Sequence, residues 1–228
     1  MIARVSVVIP VVDDSVELGR LLGELAGAAH RPLEVLVVDG SAGRSAEPVA
    51  QQASVRYLTT RAGRGHQLAA GAAAARGDAL WFLHADAQIA PDALAQLAAT
   101  LGNGAAGGCF RFRFRGRQNP ARRCLAWLIN LRSQLGGIPY GDQGLFASAS
   151  AYAAAGGFPD QPLFEEVSLV RGLRRRGRFV RLDASIGVSP RRWERDGWLR
   201  RTLANRALAL AYGLGIGPAR LATWYRRR

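Results

Sequence analysis

The chain contains no lysine. All 31 of its basic residues are arginines, set against 17 acidic ones, for a formal net charge of +14. Such a surplus favours polyanions, nucleotide phosphates or an anionic membrane surface as partners. The accompanying wealth of alanine and glycine is a bias that a genome's coding composition can impose, but the charge it leaves is physically real. Cysteine is scarce: Cys109 and Cys124 are the only two, too few for a disulfide framework and not spaced as a zinc site, so a reduced compartment is expected. No run reaches the roughly 18–20 apolar residues needed to span a bilayer. The opening MIARVSVVIPVVDD carries one arginine, but its apolar run is short, holds a proline and lacks a small-residue cleavage site, so it reads as a strand rather than a signal peptide. A cytoplasmic protein is the expectation, with association at the inner membrane face left open. Internal repeats and low-complexity linkers are also missing.

What is present argues for a folded domain. The chain has 228 residues, 49% of them hydrophobic, and five tryptophans, enough to bury one sizeable core. VSVVIP (5–10) is a β-branched run suited to a strand covered on both faces. Asp13, Asp14 and Ser15 then offer helix caps before an amphipathic stretch. LEVLVVDGS (33–41) repeats the theme. A helix at 44–52, a strand at 54–58, a helix at 65–76 and a strand at 79–83 continue it, and a helix begins near Pro91. This alternation predicts a doubly wound, mostly parallel sheet. GGCFRFRFRG (107–116) alternates phenylalanine with arginine, as a strand with one buried face does. Helices follow at 119–135, 148–158 and 164–176, with a strand at 178–182. Beyond Ser189 the chain is arginine-rich and helical. The expected division is a main domain over 1–190 and a basic helical appendage over 191–228.

In an open α/β sheet, ligands bind beyond the carboxyl ends of the strands, and the polar residues cluster there. Asp13 and Asp14 follow the first strand, Asp39 ends the second, and His84 and Asp86 end a later one. Each acid alone reads equally as a cap or turn residue. A lone carboxylate such as Asp86 after a core strand must be solvated, paired or cation-bound, because burying it unpaired costs several kcal/mol. In RAGRGHQLAAGAAAARGD (61–78), Arg61, Arg64, Gly63 and Gly65 lie at a helix entrance suited to phosphate. No Gly-Lys-Ser/Thr follows, so this is not a P-loop.

Taken in order, VSVVIP, VLVVDGS, RGHQLAAGAAAARGD, LWFLHADA, PYGDQGLF, GGFPDQPLFEEVSLVRGLRRRGR and SPRRW resemble the family-two inverting glycosyltransferases with the GT-A fold. The chain looks closest to a small bacterial subgroup described as radical-SAM/selenodomain-associated transferases. The resemblance implies a nucleotide-sugar donor whose nucleotide contacts Pro10, Asp39, Arg64, Gly65, His84 and Arg192. His84-Ala85-Asp86 would occupy the family's Asp-x-Asp motif, with Asp86 holding Mg²⁺ or Mn²⁺ and His84 standing in place of the first aspartate. The family's Glu-Asp pair aligns with Glu165-Glu166, which makes Glu166 the base, one methylene longer than usual. Asp142 would orient the acceptor or the base. Gly141, Gln143 and Trp193 would meet the acceptor, and SPRRW has serine where related enzymes have glutamine.

In the tail, Leu199, Leu203, Ala207, Leu210 and Leu214 share one helical face beside Arg200 and Arg201, and Arg226, Arg227 and Arg228 end the chain. Such a helix suits a peripheral membrane contact with a lipid-linked acceptor, packing on its own core, or a homodimer. Competing readings are a sugar nucleotidyltransferase, although IPVVDDS stands where such enzymes carry a Gly- and Arg-rich loop, and a non-enzymatic arginine-rich binder of polyanions or nucleic acid. Strand-end acids would repel phosphate without a metal, so no specific nucleic-acid partner is expected. A degenerate transferase that binds its donor without turnover is the remaining alternative, because of His84 and Glu166.

Overall fold

A computed structural model describes residues 3–226. Arg227 and Arg228, at the end of the basic tail, lie outside them, as does the side chain of Arg226. The β-branched run forms β1 (Val5–Val11), followed by α1 (Ser15–Ala26), β2 (Glu34–Asp39), α2 (Glu47–Gln52), β3 (Arg56–Thr59), α3 (Arg64–Ala74) and β4 (Ala79–Phe82). β1 pairs in parallel with β2 and β4, and β2 with β3. Leu18, Leu21, Leu22 and Leu25 of α1 are buried, each stabilising the fold by about 1.5–3 kcal/mol relative to exposure. Along β1, Val5, Val7, Ile9 and Val11 enter one core layer and Val8 the other, as a period of two requires.

The second half turns the sheet mixed. β5 (Gln88–Ile89), α4 (Ala93–Gly102), β6 (Gly107–Phe114), α5 (Pro120–Gln134), a single 3₁₀ turn (Gly141–Gln143), β7 (Phe146–Ser148), α6 (Ala149–Ala154), α7 (Glu165–Arg176) and β8 (Phe179–Val188) follow. The eight strands lie in the order β3-β2-β1-β4-β7-β6-β8-β5. β7 runs antiparallel to both β4 and β6, β5 antiparallel to β8, and β6 parallel to β8. The expected α/β architecture is therefore present. β5 was not anticipated, because a two-residue strand has no period to detect. β8 runs six residues further than the expected strand 178–182, its extension paired along β6 past an irregularity at Phe110/Arg111.

Phe110, Phe112 and Phe114 are all buried, whereas Arg113 donates to Gln88 and Arg115 to Glu17. The Phe/Arg alternation is thus a core face backed by a hydrogen-bonded polar face. No aromatic of this strand is free to stack on a nucleic-acid base. The chain ends in α8 (Arg191–Asp196), α9 (Trp198–Gly213) and α10 (Pro218–Arg226). Leu208 of α9 and Leu221 of α10 pack with Phe164 and Val167 at the start of α7. Among the described residues, no helix is long and apolar enough to cross a membrane.

Candidate active site

A cleft of about 800 Å³ opens beyond the carboxyl ends of β1 and β4. Its walls come from the loop after β1, the first residue of α3, the turn after β4, the 3₁₀ turn, the start of α7 and the three C-terminal helices. Of the candidates named from the sequence, Pro10, Arg64, His84, Asp86, Gly141, Asp142, Glu166, Arg192 and Trp193 all face it.

Asp86 is held by Arg191. The Arg191 Nη2 atom lies 3.8 Å from the Asp86 carboxylate, 3.4 Å from Asp14 and 3.9 Å from Glu17, and its Nε donates to the Ser189 hydroxyl at 3.1 Å. Asp14 therefore does not act as the side-chain cap expected of it: it makes no capping hydrogen bond to α1 and turns to Arg191. Its carboxyl is pushed up, first by burial and then by Asp86 and Glu17, with Arg191 opposing. Among the described residues, no group of three or more His, Cys, Asp or Glu side chains encloses a metal position.

Opposite stands a buried acid pair. Phe164, the residue before α7, takes φ +61°, a left-handed conformation that costs a non-glycine residue about 1–2 kcal/mol. Its ring stacks on Tyr212 of α9 at 4.7 Å, so the C-terminal helices hold the strained turn that presents Glu165 and Glu166. Glu165 pairs closely with the Arg64 Nε. Glu166 lies 4.0 Å from the Arg64 Nη2, and its Oε2 is buried without a hydrogen-bond partner. Burial, reinforced by Glu165 and only partly offset by Arg64, pushes the Glu166 carboxyl up to about 7. A carboxylate poised near neutrality and facing a cleft is suited to accept a proton.

Between the two groups lie His84 and Asp142. Burial, then the neighbouring Arg64 charge, pushes the His84 imidazole down to about 3, so it is neutral at physiological pH. Its Nε2, buried without a partner, faces Gly141 so closely that a Cβ there would lie 2.9 Å away. Burial raises the Asp142 carboxyl, with Arg132 and Arg64 opposing, and its Oδ1 also lacks a partner.

Four candidates lie away from the cleft lining, among them Glu165, which is turned to Arg64. Gln143 is fully buried and donates to the Phe110 carbonyl at 3.3 Å and the Ser133 hydroxyl at 3.2 Å. Gly65 lets α3 approach the 159–165 segment, where a Cβ would meet the Pro159 carbonyl at 2.7 Å. Asp39 is buried and committed: it accepts from the Ser41 amide at 2.7 Å, the Ala46 amide at 3.1 Å and the Tyr57 hydroxyl at 3.0 Å. Burial disfavours its charge, but these bonds outweigh that and hold its carboxyl below the usual range. Its contribution to stability is therefore present above about pH 4 and lost as pH falls through the lowered folded-state value. Asp39→Ala is expected to destabilise the fold by about 2–4 kcal/mol, read as a lower Tm in thermal unfolding at pH 7. A fall in nucleotide affinity with Tm unchanged would instead assign Asp39 to the ligand.

The cleft also contains residues that motif reading did not single out. Arg191, Arg195, Asn205 and Tyr225 line it from the C-terminal helices, and so does Arg201, which was expected beside the exposed leucine face but turns inward and is buried. Arg201 is buried, donating to Tyr225 at 2.6 Å and pairing with Asp196 at 3.1 Å. Arg192 donates to the same Tyr225 hydroxyl at 2.8 Å. Trp193 packs edge-on against Phe114 at 5.2 Å, so most of its ring serves the core. The only sequence signal for this wall was the density of arginines around Trp193 and Trp198.

A mixed sheet with its cleft at the strand ends, walled by acids on two sides and arginines between, defines a GT-A fold. The profile of glycosyl transferase family 2 matches residues 6–150, and the chain belongs to that family of enzymes. Glucosyl-3-phosphoglycerate synthase from Mycobacterium tuberculosis, solved with Mn²⁺, UDP and glucosyl-3-phosphoglycerate, superposes with a TM-score of 0.60 at 20% identity, over 82% of this chain and 71% of that one. TarS from S. aureus gives 0.63 at 16% identity, over 82% of this chain and 36% of that one. No curated protein sequence matches significantly.

Proposed function

We propose that this chain transfers a sugar from a nucleotide-sugar donor to an acceptor hydroxyl with inversion, and that Glu166 is the base. The observation that carries this reading is the buried, unpartnered Oε2 of Glu166 facing the same cleft as Asp86. Inversion needs one displacement. Glu166 takes the acceptor's proton as the acceptor oxygen bonds to the anomeric carbon. The bond from that carbon to the diphosphate breaks, its electron pair leaving with the nucleoside diphosphate. Arg64 and Arg192 would meet the diphosphate, where guanidinium forks stabilise the charge that develops. Arg64 pairs with Glu165, and the Glu165 carboxylate beside Glu166 raises the basicity of Glu166. Neutral His84 and Asp142 would orient the donor ribose and the acceptor.

The donor set fits a divalent cation shared with substrate. Asp86 and Asp14 offer hard carboxylate oxygens around one position, the Arg191 Nη2, and the protein does not close a cage there. One or two carboxylates completed by phosphates and water are normal for Mg²⁺. When bound at Asp86, Mg²⁺ or Mn²⁺ would neutralise charge on the leaving group. The synthase solved with Mn²⁺ and UDP-glucose supports this choice and favours a uridine nucleotide. We read residues 1–190 as the catalytic unit and the following helices as the arm that completes its cleft, and we retain the assignment to the radical-SAM/selenodomain-associated subgroup.

The test is calorimetric titration of UDP and GDP, each with and without Mn²⁺. Micromolar binding of one nucleotide that requires the metal is expected. Absence of binding by both, with and without metal, would remove the donor site from this cleft.

A further inference from the structure

Helix α9 has two working faces. Its inner face supplies Arg201, Asn205 and Leu208 to the cleft. Its outer face presents Leu199, Leu203 and Leu210, which the helical repeat places within about 40° of one another. They are 73%, 59% and 70% exposed, and Leu214 just beyond the helix is 85% exposed. Exposed Arg200 and Arg206 flank this row. A contiguous apolar strip of this kind on a protein surface marks an interaction site.

We propose that the outer face of α9 docks on an anionic lipid surface, with the leucines entering the headgroup–acyl boundary and the flanking arginines meeting lipid phosphates. Charge selects this partner: a second copy would bring arginine rows and a net charge of +14 against their own kind, which is repulsive, whereas an anionic bilayer complements both. The cleft then lies about one helix diameter, roughly 10 Å, from the leucine row. Resting on the transferase reading above, this placement makes the acceptor a lipid-linked hydroxyl, delivered at the membrane surface to Glu166.

The test is co-sedimentation of the full chain with vesicles of phosphatidylcholine alone and of phosphatidylcholine mixed equally with phosphatidylglycerol. Binding to the mixed vesicles only is expected. Leu203→Ser with Leu210→Ser should lower that partition by about a hundredfold, and Arg200→Gln with Arg206→Gln by about thirtyfold. All four positions are exposed, and both variants should titrate nucleotide as the parent chain does, so failure of membrane docking and failure of the donor site are read separately. Docking is overturned if the parent chain ignores anionic vesicles, or if the serine variant binds them equally. It is also overturned if light scattering finds a dimer that the serine variant dissociates, which would make the face a self-contact.

Discussion

Glu166→Gln is expected to lower kcat by about 10²- to 10⁴-fold, the usual worth of a positioned base, while nucleotide affinity stays within about threefold. Glutamine keeps the shape and buried position of the side chain but cannot take the acceptor's proton. In the parent enzyme, kcat/KM should fall on the acid side of about pH 7, where the Glu166 carboxyl gains its proton, and this limb should vanish in the residual activity of the variant. Stability should move the opposite way. An acid whose folded-state pKa is raised binds a proton in the folded state between its ordinary value of 4.5 and about 7, so ionised Glu166 weakens the fold above that window. The glutamine variant should therefore melt a few degrees higher at pH 8 and show no such advantage below about pH 4.5. Measurements are nucleoside diphosphate release across pH and thermal melts at the two extremes. A lower kcat with a lower Tm at pH 8 would indicate damaged packing instead of a lost base.

How much of this was legible in the sequence depended on how local each cause is. β1, β2 and β4 announce themselves because strands buried on both faces must be apolar throughout, and Asp39 and Asp86 stand out by interrupting such runs. The amphipathic α1 is equally plain. The partner of Asp86 was not, since Arg191 lies more than a hundred residues along the chain and only the fold brings α8 over the end of β1. The left-handed turn at Phe164 left no mark, because it is imposed by stacking on Tyr212 rather than by a glycine. Asp39 carries a second cause that the sequence did not show: besides its place at a strand end, its carboxylate accepts from two local amides and the Tyr57 hydroxyl. The tail hid its arrangement because α9 exposes leucines on one side and lines the cleft with polar and apolar residues on the other, which blurs the single stripe that pattern reading seeks.

Asp86 and Arg191 should respond to substitution with opposite signs. Asp86→Ala is expected to weaken Mn²⁺-dependent nucleotide binding by more than about a hundredfold, since even outer-shell partners of metal ligands are worth 10- to 100-fold. It should leave the metal-independent component, which rests on Arg64 and Arg192, largely intact. Arg191→Ala, in the absence of nucleotide, should instead tighten binding of Mn²⁺ alone. Its guanidinium is the positive charge shared by Asp14 and Asp86, Glu17 keeping Arg20 and Arg115, and once it is removed a cation is the remaining way to neutralise the two aspartates. The gain is bounded by solvent: Arg191 is more than half exposed, and exposed pairs contribute at most about 1 kcal/mol each, so the two aspartate pairs set a ceiling of about 2 kcal/mol, roughly thirtyfold. With nucleotide present the advantage should shrink, because Arg191, released from the carboxylates by the cation, is placed to reach the donor phosphates. Electron paramagnetic resonance of free Mn²⁺, titrated into both variants with and without UDP, reads all four affinities. Looser Mn²⁺ binding in Arg191→Ala would mean that the arginine organises the carboxylates rather than competing for them, and unchanged metal dependence in Asp86→Ala would place the cation elsewhere in the cleft.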